Sequence, residues 1–191
     1  MTEAWPQLAG ARNPDAILTA AAALASPDGQ ETLSVTTLAA VVGRRGSRQD
    51  LQLAVVTEAG QIFDAEVVQP ALAAPAGLAQ LAVVCEAFFG HLERHNCPGG
   101  CFLASAALEL GTRSGPVRDL IAGLQARFGE LIRGFAAAAV ARNELPADED
   151  PDRLAFELNG IMLAADTNFV QHEDPAVLDL GRQIVRQRLG V

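Results

Sequence analysis

Apolar residues recur every three or four positions along most of the chain, a spacing that predicts helices. Asn13 can cap a first helix whose first turn holds Pro14, and Ser34 can cap a short second helix that ends at Gly43. Beyond Gly43 the apolar stripe resumes in a longer linking helix, which we expect to end before Pro70. The N-terminal part is therefore predicted to hold two short helices and the start of a long one.

The rest of the chain repeats this pattern between glycine and proline residues that interrupt it. Two apolar segments, 76–94 and 101–110, are predicted helices, and Pro116 opens a long one. Asp150 and Asp174 are each followed by proline and can cap the last two helices. The whole pattern predicts an all-α protein of about eight helices with no convincing strand.

The predicted helix at residues 151–170 carries apolar residues on two faces. One stripe consists of Leu154, Leu158, Ile161 and Ala165. The apolar residues away from that stripe are Phe156, Leu163 and Val170. A helix that is apolar on both sides is buried on both sides, and few neighbours within the chain are left for it. We therefore expect a homodimer joined by helices 151–170 and 175–189, through that first stripe and through Leu180 and Ile184; the alternative is an internal core helix of a monomer.

Composition agrees with helices that pack through small side chains, because half of the residues are apolar and only 5% are aromatic. The formal net charge is −9, and all 14 basic residues are arginines. In the first fifty residues four arginines face five acidic residues, so the sequence offers no basic patch for phosphates. This balance argues against strong non-specific DNA binding and leaves room for a local arginine contact.

No targeting segment or membrane span is recognisable in the sequence. The first residues lack the basic region and apolar run of a signal peptide, and no stretch reaches roughly 18 uninterrupted apolar residues. Three cysteines fit reduced thiols better than a disulfide framework. We therefore expect a cytoplasmic protein with no membrane partner. We also expect no enzyme, because the sequence has no phosphate-cradling glycine loop, nucleophile elbow or HExxH motif.

Two histidines and two cysteines lie close together in "HLERHNCPGGC", at His91, His95, Cys97 and Cys101. These residue types bind zinc tetrahedrally, but their spacing is unusual for a zinc site. The pattern favours thiols that pack or lie beside a pocket, with a redox pair of Cys97 and Cys101 and a zinc site as alternatives. We therefore expect neither a metal nor a cofactor.

Five segments carry a family resemblance in their order along the chain: "AILTAAAALAS", "ETLSVTTLAAVVG", "DLQLAVVTEAGQIFDAEV", "CPGGCFLASAALELGTRSGPVRD" and "LPADEDPDRLAFELNGIMLAADTNF". They resemble the tetracycline-repressor (TetR/AcrR) family of bacterial transcription regulators. The first two are similar to the first two helices of its helix-turn-helix domain, the third to its connecting fourth helix, and the last two to the ligand-binding and dimerisation half of one subgroup. The resemblance implies a degenerate helix-turn-helix domain at residues 1–49 and a ligand-binding and dimerisation domain at residues 50–191.

The resemblance also implies functional residues. DNA would be contacted by Ser34, Thr36, Thr37, Arg44, Arg45, Ser47 and Arg48. A small apolar effector would bind among Cys85, Phe88, Phe89, His91, Phe102, Phe128 and Asp166. His91 or Asp166 would supply the polar group of that pocket. The implied protein is a dimeric, ligand-responsive, DNA-binding repressor.

The segment "RRGSRQ", residues 44–49, departs from the family pattern. The family places a turn and a recognition helix there, whereas six residues give a helix of only about 9 Å with nothing left for the turn. Three interpretations stay open: a regulator that no longer reads DNA, a deletion in the sequence, and DNA contacts from the start of the next helix. The arginines of the segment either touch phosphates or form a solvated loop. The alternative function is a ligand-binding and dimerisation module that acts through heterodimers or is a decayed paralogue.

Overall fold

A computed structural model describes residues 48–95, 100–110 and 114–191, and within these ranges the chain is helical with no strand. The helices are α1 (Arg48–Phe63), α2 (Gln69–Ala73), α3 (Leu78–His95), α4 (Phe102–Leu110), α5 (Pro116–Ala141), α6 (Pro151–His172) and α7 (Ala176–Leu189), with a π-helical segment at Asp64–Val68 between α1 and α2. The prediction of an all-α fold is confirmed. The two helices expected before Gly43 lie outside the described residues.

Contacts within the chain separate two compact units. The first unit contains the described residues up to Ile62 together with Cys101–Leu124, and the second contains those of Phe63–Gly100 together with Gln125–Val191. This division follows internal contacts, whereas the domain boundary between residues 49 and 50 rests on the family resemblance. That boundary stays a prediction, because residues 1–47 lie outside the described part of the chain.

The linking helix does not end before Pro70, and that expectation was wrong. The backbone stays helical from α1 through the π-helical segment into α2. At Gln69 the hydrogen bonding changes from π to α, which places Pro70 in the first turn of a new α-helical stretch. A missing N–H is tolerated there, and the fixed φ of proline suits the position. The helix stops instead at Ala74, whose ψ of 158° is extended, because Pro75 follows it and disfavours a helical conformation.

The start of α3 is fixed by a glycine and a distant carboxylate. Gly77 has a φ of +102°, and a Cβ added there would meet the carboxylate of Glu144. The N–H of Leu78 donates to Glu144 Oε2 over 2.8 Å, and the N–H of Gly77 donates to Gln80 Oε1 over 3.2 Å. The first N–H groups of a helix have no acceptor within the helix, and two of them are satisfied here by these side chains. Glycine is required at position 77 by both the conformation and the close approach.

The start of α6 confirms the predicted cap at Asp150, whereas the N-cap of α7 is Pro175. Asp150 Oδ1 accepts hydrogen bonds from the N–H groups of Asp152 and Arg153 at 2.9 and 3.4 Å. Asp174 Oδ1 likewise accepts from the N–H of Ala176 at 2.9 Å, where α7 begins. A short side chain that accepts from the first turn, followed by proline, starts a helix efficiently.

The core of the second unit forms where α3, α6 and α7 meet. Helix α3 packs against the π-helical segment, α2, α6 and α7, and α6 also packs along α7. The largest fully buried side chains of this unit include Leu81, Phe89, Leu154, Leu158, Met162 and Leu178. Helices α6 and α7 therefore bury one face each inside this chain.

Candidate effector site and exposed helical face

An aromatic cluster lies at the end of α1. The ring of Phe63 makes edge-on contacts with Phe88, Phe128 and His91, with centroid distances of 6.3, 5.0 and 5.7 Å. Phe88 also meets Phe89 edge-on at 6.1 Å. This is the preferred geometry for aromatic pairs. Phe63 is thus the centre of a group of residues that the resemblance assigned to an effector pocket, although Phe63 itself was not among them.

The polar side of this cluster is the buried His91. Its Nδ1 lies 2.8 Å from Oε2 of Glu66, a residue of the π-helical segment. The guanidinium of Arg94, one turn along α3, donates to the same carboxylate oxygen at 3.3 Å. Irregular turns of this kind often mark functional positions in helices. The π-helical segment therefore places the carboxylate of Glu66 beside His91, whose ring contacts Phe63.

The remaining predicted pocket residues lie in several places. Asp166 is buried on α6 beside Gly100, because a Cβ added at Gly100 would meet the carboxylate of Asp166 and would be 2.7 Å from Val170 Cγ2. Phe102 belongs to the first unit, whereas the other predicted pocket residues belong to the second. Within the second unit, the aromatic contacts connect Phe88, Phe89, His91 and Phe128. The pocket as a whole stays a prediction.

A separate open cleft of about 380 Å³ runs along α3 and α7. Its floor includes the buried Cys85 and Phe89, and its edge carries Glu86, Arg182 and Arg186. Burial, and secondarily the neighbouring Glu86 charge, raise the pKa of the Cys85 thiol to about 12. Cys85 is therefore a protonated packing residue in the folded protein rather than a reactive thiolate.

Arg182 joins α7 to α3. Its two terminal nitrogens donate to both carboxylate oxygens of Glu93 at 2.8 Å, and its Nε donates to Glu86 at 2.9 Å. Asp179 accepts a further bond at 3.1 Å, and the guanidinium carbon lies 5.5 Å from the centroid of the Phe89 ring. The hydrogen bonds that Arg182 donates to Glu93 and Glu86 hold its pKa above the usual range. Nothing in the helical periodicity indicated that this arginine would join two helices.

A second arginine, Arg188, forms hydrogen bonds near the C-terminal end of α7. Arg188 donates to both oxygens of Glu149 at 2.8 and 3.0 Å and to Glu157 at 2.7 Å. Glu149 precedes α6 and Glu157 lies within it. Arg188 therefore joins the end of α7 to the beginning of α6, and the hydrogen bonds that it donates to these glutamates hold its pKa above the usual range.

The residues predicted for a dimer interface separate into two groups. Leu154, Leu158 and Ala165 are buried within the single chain, and Ile161 is half-buried. Leu180 and Ile184 are instead exposed, by 55% and 42%. The first group therefore packs on neighbouring helices of the same protomer.

The apolar residues available on the outside of the last two helices are Phe156, Leu163, Leu180 and Ile184. We call this set the outer face. Phe156 is 81% exposed and Leu163 is 43% exposed. Because α6 and α7 both pack on α3 with their buried sides, their exposed sides point away from α3.

Several sequence predictions fall outside the described residues. The predicted DNA contacts Ser34, Thr36, Thr37, Arg44, Arg45 and Ser47 lie there, as does the side chain of Arg48. Cys97 and the side chain of His95 also lie there, so zinc and redox pairing stay hypotheses. Within the described ranges no three histidine, cysteine or acidic side chains group as metal ligands would, and no helix is long and apolar enough to cross a bilayer.

Solved structures of similar shape come from bacterial regulators. A TetR transcriptional regulator from Chloroflexus aurantiacus J-10-FL superposes with a TM-score of 0.74 at 20% identity, over 93% of this chain and 93% of that one. A TetR-family transcriptional regulator from Streptomyces coelicolor gives 0.68 at 18% identity, over 92% of this chain and 87% of that one. No curated protein matches the sequence. The helical architecture is therefore that of a bacterial regulator fold.

The family follows from the sequence of the second half of the chain. Residues 77–185 match the family described as tetracyclin repressor-like, C-terminal domain. That match spans α3 to most of α7 and covers more than half of the chain. The chain belongs to the TetR family of transcriptional regulators, as the resemblance implied.

Proposed function

We propose that the protein is a dimeric, effector-binding transcription regulator. The observation that carries the dimer is the outer face, because four large apolar side chains on two packed helices are exposed to solvent. A contiguous exposed apolar patch commonly marks an interaction surface. In a symmetric dimer the same patch meets its own copy, so α6 and α7 of two protomers would form a four-helix contact.

The oligomeric state tests this proposal through a matched pair of substitutions. Leu180→Arg places a charge within the outer face, whereas Leu108→Arg makes the same change on α4, where the leucine is 78% exposed. Light scattering coupled to size exclusion should give a dimer for the wild type and for Leu108→Arg, and a monomer for Leu180→Arg. A wild-type monomer at micromolar concentration would refute the dimer. It would also be refuted if the two single variants Leu180→Arg and Phe156→Arg both remained dimeric.

The aromatic cluster supports effector binding. Pockets for small organic ligands combine apolar and aromatic walls with a few polar groups. Phe63, Phe88 and Phe128 supply aromatic edges, and His91 with Glu66 supplies one polar group. We assign the effector to this region of the second unit and keep Cys85, Phe89 and Asp166, which belong to the same unit, as further proposed members of the site. Phe102 belongs to the first unit, and its role stays a prediction of the sequence. The expected effector is a small, largely apolar molecule.

The output on DNA has two candidate forms. In one, the protein binds an operator through its N-terminal domain and represses transcription. In the other, it binds effector and partner but does not itself read DNA, and acts through heterodimers. One feature of the sequence favours the second form: only the six residues 44–49 separate Gly43 from the apolar-striped segment that begins at Asp50. A recognition helix needs several side chains on base edges, and six residues give less than two turns.

DNA titrations distinguish the two forms. Fluorescence anisotropy with fragments of the protein's own promoter region should show no sequence-selective binding at physiological salt. Residual affinity should fall steeply as salt rises, because only phosphate contacts are available. Regulators bind their specific sites more strongly than non-specific DNA by about 4–10 kcal/mol in binding free energy, a difference that the titration would detect. A nanomolar footprint on a palindrome that survives competitor DNA and is lost on Arg44→Ala or Arg45→Ala would restore the operator-binding form.

A further inference from the structure

The open cleft along α3 and α7 uses a different face of α3 from the aromatic cluster. Its α3 wall includes Cys85 and Phe89, which are about one helical turn apart. Phe88 and His91 lie on another face of the helix, where they contact Phe63. Every residue that lines the cleft belongs to the second unit. Its volume of about 380 Å³ is within the range of about 300–1,000 Å³ that is typical of small-molecule sites.

The floor of the cleft is apolar and uncharged. Cys85, Phe89 and Val185 are all buried residues that line it. The Cys85 thiol is protonated, because burial raises its pKa to about 12. Such a floor favours the apolar part of a ligand, since contact there removes apolar surface from water. Recognition of a charge must therefore come from the rim.

The rim carries two arginines that differ in the hydrogen bonds that they already make. All three nitrogens of the Arg182 guanidinium donate to Glu93, Glu86 or Asp179. The Arg186 guanidinium lies 3.6 Å from Glu86 Oε2, which is beyond hydrogen-bonding distance, and it makes no hydrogen bond to a described residue. Its side chain is 59% exposed. Arg186 is thus the rim residue whose N–H donors can bind a ligand.

The charges around the rim indicate which anion would fit. Two arginines face the three carboxylates of Glu86, Glu93 and Asp179, so this region has no excess of positive charge for a phosphate or another polyanion. A single carboxylate needs only one guanidinium, whose planar N–H groups match its two oxygens. It would displace Glu86, whose side chain is 54% exposed and can be hydrated instead.

We propose that this cleft is a second ligand site, which binds a small molecule with an apolar body and a single carboxylate, and that Arg186 recognises the charge. The apolar body covers Phe89 and Val185, and the carboxylate accepts hydrogen bonds from Arg186. The inference goes beyond the proposed function, because this site is separate from the aromatic cluster.

The cleft and the outer face lie on different sides of α7. Leu180 and Ile184 of the outer face are each two positions before Arg182 and Arg186. Two positions along an α-helix correspond to a rotation of about 200°. A ligand in the cleft and a partner on the outer face can therefore be bound at the same time.

Calorimetric titration of the full chain tests the site with hydrocinnamate and octanoate, each compared with its neutral amide of the same shape. The wild type should bind at least one carboxylate, and its amide about tenfold more weakly or less. Arg186→Gln removes the cation and should weaken carboxylate binding by about tenfold or more. Arg133→Gln is the matched control, because Arg133 is 50% exposed and also lies 3.6 Å from a carboxylate, that of Asp152. It should bind as the wild type does.

A second variant should change the affinity in the opposite direction. Glu86→Gln removes the carboxylate that competes for Arg186, while its amide oxygen can still accept the hydrogen bond from Arg182 Nε. It should bind the carboxylate several times more tightly than the wild type. An unchanged or weaker affinity would contradict the proposed role of Arg186.

The remaining outcomes separate this site from the proposed effector site. Equal carboxylate affinity in the wild type and Arg186→Gln overturns the inference, and so does the absence of binding of both carboxylates at millimolar concentration. Phe128→Leu alters the aromatic cluster and should leave carboxylate binding unchanged. Binding that is lost in Phe128→Leu and retained in Arg186→Gln would assign the ligand to the aromatic cluster, which overturns the second site and supports the proposed effector site. The dimer and DNA measurements judge the proposed function separately.

Discussion

Gly181 of α7 packs against Phe89 of α3 and Ala165 of α6, and its replacement provides a sharp test of the packing. A Cβ at this position would be 3.0 Å from Cε1 and Cζ of Phe89 and 3.2 Å from Cβ of Ala165. Phe89 is completely buried and Ala165 is 5% exposed, so a shift of either side chain would disturb the packing of the core around it. Gly134 on α5 is a matched control, because a Cβ added there meets nothing within 4 Å.

The two Gly→Ala changes should have opposite effects on the free energy of unfolding. Alanine is favoured over glycine within a helix by about 0.5–1 kcal/mol, so Gly134→Ala should stabilise by that amount. Gly181→Ala has the same backbone gain, but overpacking a tight core costs typically 1–3 kcal/mol. We expect a net loss of about 1 kcal/mol for Gly181→Ala, and a larger loss for the branched side chain of Gly181→Val.

Urea unfolding followed by circular dichroism measures these differences, provided that the protein concentration is fixed because a dimer would couple to unfolding. The slope with denaturant should remain unchanged while the midpoint moves. If Gly181→Ala proves as stable as Gly134→Ala, Phe89 can shift to make room, and the close packing of α7 on α3 is not a constraint on the sequence.

Three further predictions follow from individual side chains. Arg182→Met should lower the free energy of unfolding by about 1–3 kcal/mol, because it removes the charge-assisted hydrogen bonds of a guanidinium whose side chain is 10% exposed. The same urea titration measures this loss, and an unchanged midpoint would contradict the prediction. A hydrogen bond from the Leu78 N–H, and secondarily one from Arg142, hold the pKa of Glu144 below its usual range. The resulting stability is present above the usual glutamate pKa and is lost as pH falls through the lowered one. The free energy of unfolding should therefore fall less on acidification for Glu144→Gln than for the wild type, and parallel plots of this free energy against pH would refute the prediction. Iodoacetamide at pH 8 should leave Cys85 unmodified in the folded protein, since its pKa is raised to about 12, and peptide mass spectrometry would detect the contrary result.

Helix boundaries could be predicted from the sequence because they depend on neighbouring residues. Asp150 before a proline starts α6 as expected, since its carboxylate reaches N–H groups two and three residues ahead. Pro70 was misjudged for a related reason. Proline is tolerated in the first turn of an α-helical stretch, and the π-helical segment that places Pro70 in such a turn has no signature in the apolar pattern.

The side of a helix that meets the core could not be predicted in the same way. The apolar stripe of Leu154 and Leu158 and the separate Phe156 and Leu163 are equally compatible with a buried or an exposed face. Only the placement of α3 decides that the first pair is internal. Glu58 of α1, which is buried, was missed as well, because a glutamate in a helix is ordinarily a surface residue.

The hairpin of α6 and α7 is closed at both ends. At one end the short turn after Glu173 connects the helices, and at the other Arg188 holds Glu149 and Glu157 with three hydrogen bonds. Such a hairpin cannot open or slide without breaking charge-assisted bonds. The outer face is consequently preorganised, and a partner that docks on it would lose little conformational entropy of the hairpin. A rigid surface also cannot adapt to an ill-fitting partner, so discrimination between this chain and its relatives would depend on shape at Phe156, Leu163, Leu180 and Ile184 rather than on rearrangement after contact.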